Sequence, residues 1–345
     1  MRAERIVAGR PAREELIGSV LTTDLVVGGK RWSKGRRLSS ADLRAYATEL
    51  AAGAATVIVL SGDDLHEDEA AARLATAVAG PGLSIGEPIQ SRVDLRATHA
   101  GILHVRVAAL ARLNAVDPLE VFTAFDGTAV EKGDLVASAK IAPHVVSAAV
   151  VDAALAGAGT AARPLVRVAP YKPMRVAAVV KESVRARDRE RFETSVRDKI
   201  ESLGSTVLSI DYVADDASPV TEALARAVAG GADILLTAGG RSTDPLDPFF
   251  AAIDRLGGSV VRHGVPAHPG SMLWLARIAG AAVLGLPTCG AYSKATAADL
   301  VLPRLLTGER ADLRLVARLG HGGLLTRDQR FRFPAYARTL DAPDG

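Results

Sequence analysis

The spacing of apolar residues is clearest in the second half of the chain. Arg175 to Val180 is an apolar run of strand length. Phe192, Val196, Ile200 and Leu203 then recur at helical intervals until Gly204, which ends the helix. Val207 to Val213 reads as the next strand. Ser218 is a candidate N-cap with Pro219 at the first helical position, and that helix runs to Gly230-Gly231. Ile234 to Thr237 is a buried strand. Asp247 then offers a cap with Pro248 directly behind it, and Gly257-Gly258 closes the helix. Ser259 to His263 follows as a strand, Met272 to Ile278 and Ala282 to Leu286 form a hairpin about Ala279-Gly280, and a last helix is predicted from about Ser293 to Leu306. This alternation predicts an α/β fold over 170–310: a mostly parallel sheet with helices on both faces, three layers in all.

The first half is of mixed texture. Leu43, Ala47, Leu50 and Ala51 follow helical spacing before Gly53, Thr56 to Leu60 reads as a strand, and a helix covers Asp68 to Val78. From Gly101 to Ile141, short apolar stretches alternate with turn signals at Asn114, Asp126-Gly127 and Gly133-Asp134, which predicts several strands. Residues 1–165 therefore read as an α+β region. The Ala-, Gly- and Pro-rich stretch Ala153 to Pro173 marks the main boundary, and 311–345 is expected to be a C-terminal tail.

Composition narrows the class of function. With 345 residues, 48% hydrophobic and 23% charged, the chain is long enough for two packed domains. The charge is only +3, because 42 Lys and Arg stand against 39 Asp and Glu, and no basic run is interleaved with aromatics, so a nucleic-acid partner is not expected. Cys289 is the single cysteine, which rules out an internal disulfide. Met1 to Arg10 lacks the apolar centre of a signal peptide and no window is apolar enough to span a bilayer; a cytoplasmic location without membrane contact is expected.

Ligands of open parallel sheets bind beyond the carboxyl ends of the strands. Two loops there carry suitable chemistry. After Ile234 to Thr237, Gly239 and Gly240 allow close backbone approach, Ser242 and Thr243 supply hydroxyls, and a helix start follows whose N–H groups favour phosphate. Asp244 and Asp247 lie three apart in this loop. They can hold Mg²⁺ or activate a nucleophile, although Asp247 reads first as a helix cap; Asp244 has no evident capping role. The second loop, Gly285-Leu286-Pro287-Thr288-Cys289-Gly290, precedes Ser293 and Lys294 and is a second candidate anion site in which Lys294 can neutralise a phosphate or simply be solvated. Cys289 reads as a small apolar packer. His263 and His268, five apart, lack the further ligands that zinc needs, and His268 is better read as a ligand contact. Trp274, Phe249 and Phe250 are core residues first and walls for a planar ring second.

The ordered blocks Gly231 to Gly240, Ser242 to Asp247, His263-Gly264-Val265-Pro266, Pro269-Gly270-Ser271-Met272 and Gly285-Leu286-Pro287 resemble the molybdopterin-binding domain of molybdenum-cofactor assembly proteins, over Asp233 to Gly308. The likeness extends to Met174, and Leu16 to Gly35 resembles the opening segment of shorter proteins related to the molybdotransferases. The resemblance implies that molybdopterin, or the molybdenum cofactor itself, is the ligand; Mg²⁺ on Asp244, with Asp247, is the metal that the carboxylate pair allows. It also implies contacts at Gly239, Gly240, Ser242, Asp244, Asp247, Pro269, Gly270, Ser271, Pro287 and Thr288. Expected partners are the small pterin phosphate, a molybdoenzyme or a cofactor-assembly protein, and further copies of the chain. Three departures accompany the likeness. The early Ser-x-Met-Asp-Gly-aromatic-Ala motif of full molybdotransferases has as its nearest string Ala124 to Ala129, elsewhere in the layout. Only 37 residues follow Gly308, and Gly320-His321-Gly322-Gly323 is followed by no cysteine. The expected function is cofactor binding with metal insertion or delivery; a non-catalytic carrier or sensor, or a protein acting on another phosphorylated metabolite, are the alternatives.

Overall fold

The computed structural model describes residues 1–11, 13–49, 53–181, 188–286 and 295–338. The chain divides into two compact units: one of Met1–Thr98, Val105–Asp126 and Lys132–Val168, the other of His99–His104, Gly127–Glu131 and Ala169–Gly345. No helix among the described residues is long and apolar enough to cross a membrane.

In the first unit, Arg2–Val7 and Val20–Leu21 pair antiparallel with Ala54–Val59, over a core that includes Leu16, Leu21, Trp32, Leu43, Tyr46 and Val57. A four-stranded antiparallel sheet runs in the order Leu119–Thr123, Leu135–Ile141, Arg92–Ala97, Leu83–Ile85, with the helix Glu67–Val78 against it. Two parts of this unit differ from the expected pattern. A helix, Val107–Asn114, interrupts the predicted run of strands: Ala109 and Leu113, four apart, are buried on its inner side. Asn114 is no turn residue, because its side-chain amide both donates to Val121 O (2.7 Å) and accepts from Val121 N (2.9 Å). The stretch 153–173 is also largely regular. It completes the helix Ala148–Ala158, capped by Ser147 and ended by Gly159 in the left-handed region (φ 63°), and continues into the strand Val166–Pro170.

The second unit carries the expected α/β pattern: β1 (Arg175–Lys181), α1 (Arg189–Glu201), β2 (Thr206–Val213), α2 (Ala217–Ala229), β3 (Ile234–Ala238), α3 (Pro248–Arg255), β4 (Ser259–His263), β5 (Trp274–Ile278), β6 (Ala281–Gly285) and α4 (Ala298–Leu306). The sheet order is β2-β1-β3-β6-β5-β4. Only β5 runs against the rest, since β5 is antiparallel to both β6 and β4 whereas the other pairs are parallel. The two-residue period of a strand sends neighbours to opposite faces. Val176, Ala178 and Val180 pack with Phe192, Val196 and Ile200 of α1 and with α4, whereas Ala177 and Val179 pack with Val220 and Leu224 of α2 and Phe249 and Ile253 of α3. The central strand β3 is buried along its whole length, which is why it reads as a continuous apolar run. One cap differs from expectation. Asp216, not Ser218, caps α2, its Oδ1 accepting from Ser218 N at 2.9 Å, so Ser218 and Pro219 already lie inside the helix.

Residues 311–338 belong to this core rather than to a tail. Leu315, Val316, Leu319, Leu325, Phe333 and Ala337 join the cluster on the α1 and α4 side. A buried polar knot fixes them there. Asp299, in the first turn of α4, takes the ammonium of Lys199 from α1 and the hydroxyl of Tyr336 (3.1 Å), while its other oxygen accepts from Thr296 N (2.8 Å).

Trp274 lies across Gly285, where any Cβ would run into the indole. Gly285→Ala should therefore cost about 1–3 kcal/mol or more through overpacking. A lowered melting temperature together with a red-shifted Trp274 emission would report it; an unchanged melting curve would show that the indole moves aside freely.

Candidate functional site

The register of the sheet brings the candidate loops to one end of the second unit. Asp211, Val179, Thr237, Gly285, Trp274 and His263 form a single row across β2, β1, β3, β6, β5 and β4. Beyond this row lie the exits of β1, β2 and β3, the loop from β4 to β5, and the N-termini of α2 and α3. Helix N-termini carry a partial positive charge, but in α3 Pro248 has no N–H and Phe249 N and Phe250 N are already bonded to Asp247, so a ligand at this end meets the loop rather than the first N–H groups of that helix.

The loop after β3 turns at Gly239, whose φ of 82° is a left-handed conformation that side chains disfavour. It is held in shape by its own backbone: Asp244 N donates to Arg241 O (2.9 Å) and Asp247 N to Asp244 O (3.0 Å). Asp247 is 1% exposed and is the cap of α3, its Oδ1 accepting from Phe249 N at 3.0 Å. Its Oδ2 accepts from Arg241 N (2.7 Å) and receives the ammonium of Lys181, also at 2.7 Å. Lys181, the last residue of β1, is fully buried, and its Nζ lies 2.7 Å from Asp215 Oδ1 as well. Asp215 follows β2, and its Oδ2 meets the guanidinium of Arg241 at 3.2 Å. The charges thus run Asp247, Lys181, Asp215, Arg241, and the backbone amide of Arg241 closes the ring onto Asp247, which ties the exits of three strands together. The Arg241 side chain remains 62% exposed.

The other predicted residues sort by environment. Asp244 is half-buried and accepts from Leu246 N (2.9 Å) through Oδ1, a local turn contact. Among the described residues, the amides and hydroxyls of Ser242 and Thr243 have no hydrogen-bond partner, so they are available to a ligand. In the loop from β4 to β5, Pro269 O accepts from Ala297 N (2.9 Å), Gly270 lies against Thr296 and Ala297, and Ser271 O accepts from Val265 N (2.9 Å). His268 is exposed, and its backbone is bridged to the 323–325 segment through Gly323 O (2.7 Å) and Leu325 N (2.8 Å). Phe249 and Trp274 are buried and, with Phe250 and His263, form a continuous aromatic contact on the α3 side of the sheet, in keeping with their reading as core. Pro287, Thr288, Cys289, Ser293 and Lys294 lie outside the described residues.

A Mg²⁺ ion needs oxygen donors in near-octahedral array. No group of three or more His, Cys, Asp or Glu side chains able to hold a metal occurs among the described residues. The carboxylates that do converge here are already bridged by an ammonium, so the donor set at Asp247 does not fit the ion.

Lys181, Asp215 and Arg241 were not singled out from the sequence. Their signal was present all the same: Lys181 closes the otherwise apolar run Val176 to Val180, and Asp215 sits between a strand and a helix start.

Comparisons with known proteins bear on the same unit. Residues 175–307 match the model of the family described as probable molybdopterin binding domain. Among solved structures, a molybdopterin biosynthesis moeA protein from Pyrococcus horikosii aligns at 16% identity over 75% of this chain and 76% of that one, with a TM-score of 0.31. MogA aligns at 24% identity over 44% of this chain and 96% of that one, with a TM-score of 0.27. Both scores are low, and the assignment rests on the family match. No curated protein matches the chain. The segment 175–307, from the start of β1 through α4, is accordingly the part of the chain that matches the family of probable molybdopterin binding domains.

Proposed function

We propose that the second unit binds molybdopterin, or its molybdenum-loaded form, at the carboxyl end of its sheet, and that the protein serves molybdenum-cofactor assembly by insertion or delivery. The observation that carries this reading is the loop 239–247: a glycine turn, free Ser242 and Thr243 amides and hydroxyls, and an exposed Arg241 between β3 and α3, within a segment that matches this domain family. These groups suit a phosphate, which accepts several hydrogen bonds and favours a guanidinium. The loop from β4 to β5 lies at the same end of the sheet, and its His268, Pro269, Gly270 and Ser271 would meet the rest of the ligand, with Pro287, Thr288 and Lys294 as further proposed contacts.

The binding role has more support than a chemical one. Asp247 is already engaged with Lys181, Arg241 and Phe249, which favours binding and delivery over a step that needs Mg²⁺ on this carboxylate. If the protein does insert metal, Asp244 is the residue with a carboxylate oxygen to spare, and Asp244→Ala should abolish turnover while leaving binding intact; unchanged insertion in that variant would remove Asp244 from the chemistry.

Titration of the purified protein with molybdopterin, followed by pterin fluorescence, tests the binding. Wild type should saturate. Arg241→Ala should weaken binding roughly 10- to 100-fold, the value of about one or two charge-assisted hydrogen bonds. Absence of saturation in wild type would refute the reading.

A further inference from the structure

The position between Asp215 and Asp247 is where a divalent ion would be expected. Two carboxylates converge there at the carboxyl end of a parallel sheet, beside a loop suited to phosphate, and a Mg²⁺ ion in such a place takes carboxylate oxygens, waters and phosphate oxygens. Here the position is held by part of the chain. Lys181 Nζ lies 2.7 Å from Asp215 Oδ1 and 2.7 Å from Asp247 Oδ2. Lys181 has no exposure to water, so its ammonium cannot leave these carboxylates for solvent without the β1 end moving. Asp247 is fixed as well, by the N–H groups of Arg241 and Phe249.

Charge balance points the same way. Lys181 and Arg241 together carry two positive charges, and Asp215 and Asp247 carry two negative ones, so the ring is neutral as it stands. A divalent ion on the same oxygens would add two positive charges beside a desolvated ammonium, where like charges repel strongly because little water screens them. Phe249 adds to the preference for an ammonium: its ring lies 5.4 Å from Lys181 Nζ, within the range of a cation–π contact.

We propose that Lys181 is the resident cation of this site, standing where a divalent metal would bridge Asp215 and Asp247, so that the loop receives its phosphorylated ligand without a metal ion on these carboxylates. This deepens the function proposed above and rests on it only for the identity of the ligand. Lys181 acts as a positioning residue: through Asp247 it holds the Arg241 amide and the start of α3, and through Asp215 it sets the Arg241 guanidinium.

The test uses the full chain, isotope-labelled for amide spectroscopy, and Mn²⁺ as the probe. The amides of Arg241 and Phe249 both donate to Asp247, so a paramagnetic ion there would erase their signals. In wild type these signals should survive equimolar Mn²⁺. In Lys181→Met, which leaves two carboxylates without their cation, Mn²⁺ should bind saturably, erase the same signals and raise the melting temperature, a rise absent from wild type. Selective loss of the Arg241 and Phe249 signals in wild type at equimolar Mn²⁺ would overturn the proposal, as would a folded Lys181→Met that gains no Mn²⁺ binding. If Lys181→Met does not fold, the wild-type titration decides alone. No pterin is present in the assay. A protein that excludes Mn²⁺ yet binds no molybdopterin would refute the proposed function and leave the role of Lys181 standing.

Discussion

Asp247→Ala is expected to destabilise the second unit by about 3–5 kcal/mol, the range for removing one partner of a buried ion pair. Three contacts end together: the cap on Phe249 N, the acceptor for Arg241 N and one of the two anions that neutralise Lys181. The ammonium would keep Asp215 alone, whose side chain is 38% exposed and so compensates it less well. For a unit of this size the melting transition should fall on the order of 10 °C. Asp244→Ala is the control, since Asp244 loses a single turn contact to Leu246 N and should cost no more than about 1 kcal/mol. Equal effects of the two substitutions would contradict the assignment of Asp247 as the buried anchor.

Lys199→Met should be comparably severe, at about 3–5 kcal/mol, because it strands the carboxylate of Asp299, which is fully buried. The double variant Lys199→Met, Asp299→Leu should recover part of that loss, since a buried pair replaced by apolar groups often costs little, although Thr296 N would then lose its acceptor. Chemical denaturation of the four proteins of this cycle gives the coupling directly; additive effects would show that the pair contributes nothing as a pair. Tyr336 belongs to the same knot. Burial and the adjacent Asp299 carboxylate hold its hydroxyl well above the usual tyrosine range. A raised folded-state value means that this contribution is complete below about pH 10 and is lost as the pH rises above it. Tyr336→Phe should therefore flatten the alkaline loss of stability.

The second unit was legible in the sequence because its inner strands β1, β3, β6 and β5 are buried on both faces and helices α1 to α3 on one, so the two periods alternate cleanly from Arg175 onward. In the first unit the periods are short and overlap. Val107–Asn114 is a two-turn helix with two fully buried positions, and its final Asn looked like a turn because pattern alone cannot tell that its side chain bonds Val121. The integration of 311–338 was hidden for a similar reason: short helices such as Leu313–Ala317 and Ala335–Arg338 are too brief to show a period, and Tyr336 is placed by Asp299 from 37 positions away. At the site, the glycine loop and the Asp247 cap follow from local rules. The ring of Lys181, Asp215, Asp247 and Arg241 does not. Its members come from three strand exits, and only the sheet order sets β1 between β2 and β3.

The most direct test of the central claim is native mass analysis of the protein mixed with molybdopterin, comparing wild type with Ser242→Ala, Thr243→Ala and the two combined. A mass increment of one molybdopterin per chain in wild type, reduced in the combined variant while folding is unchanged, is the result that binding at the loop 239–247 predicts. No increment in wild type, or an increment equally strong in the combined variant, would contradict it.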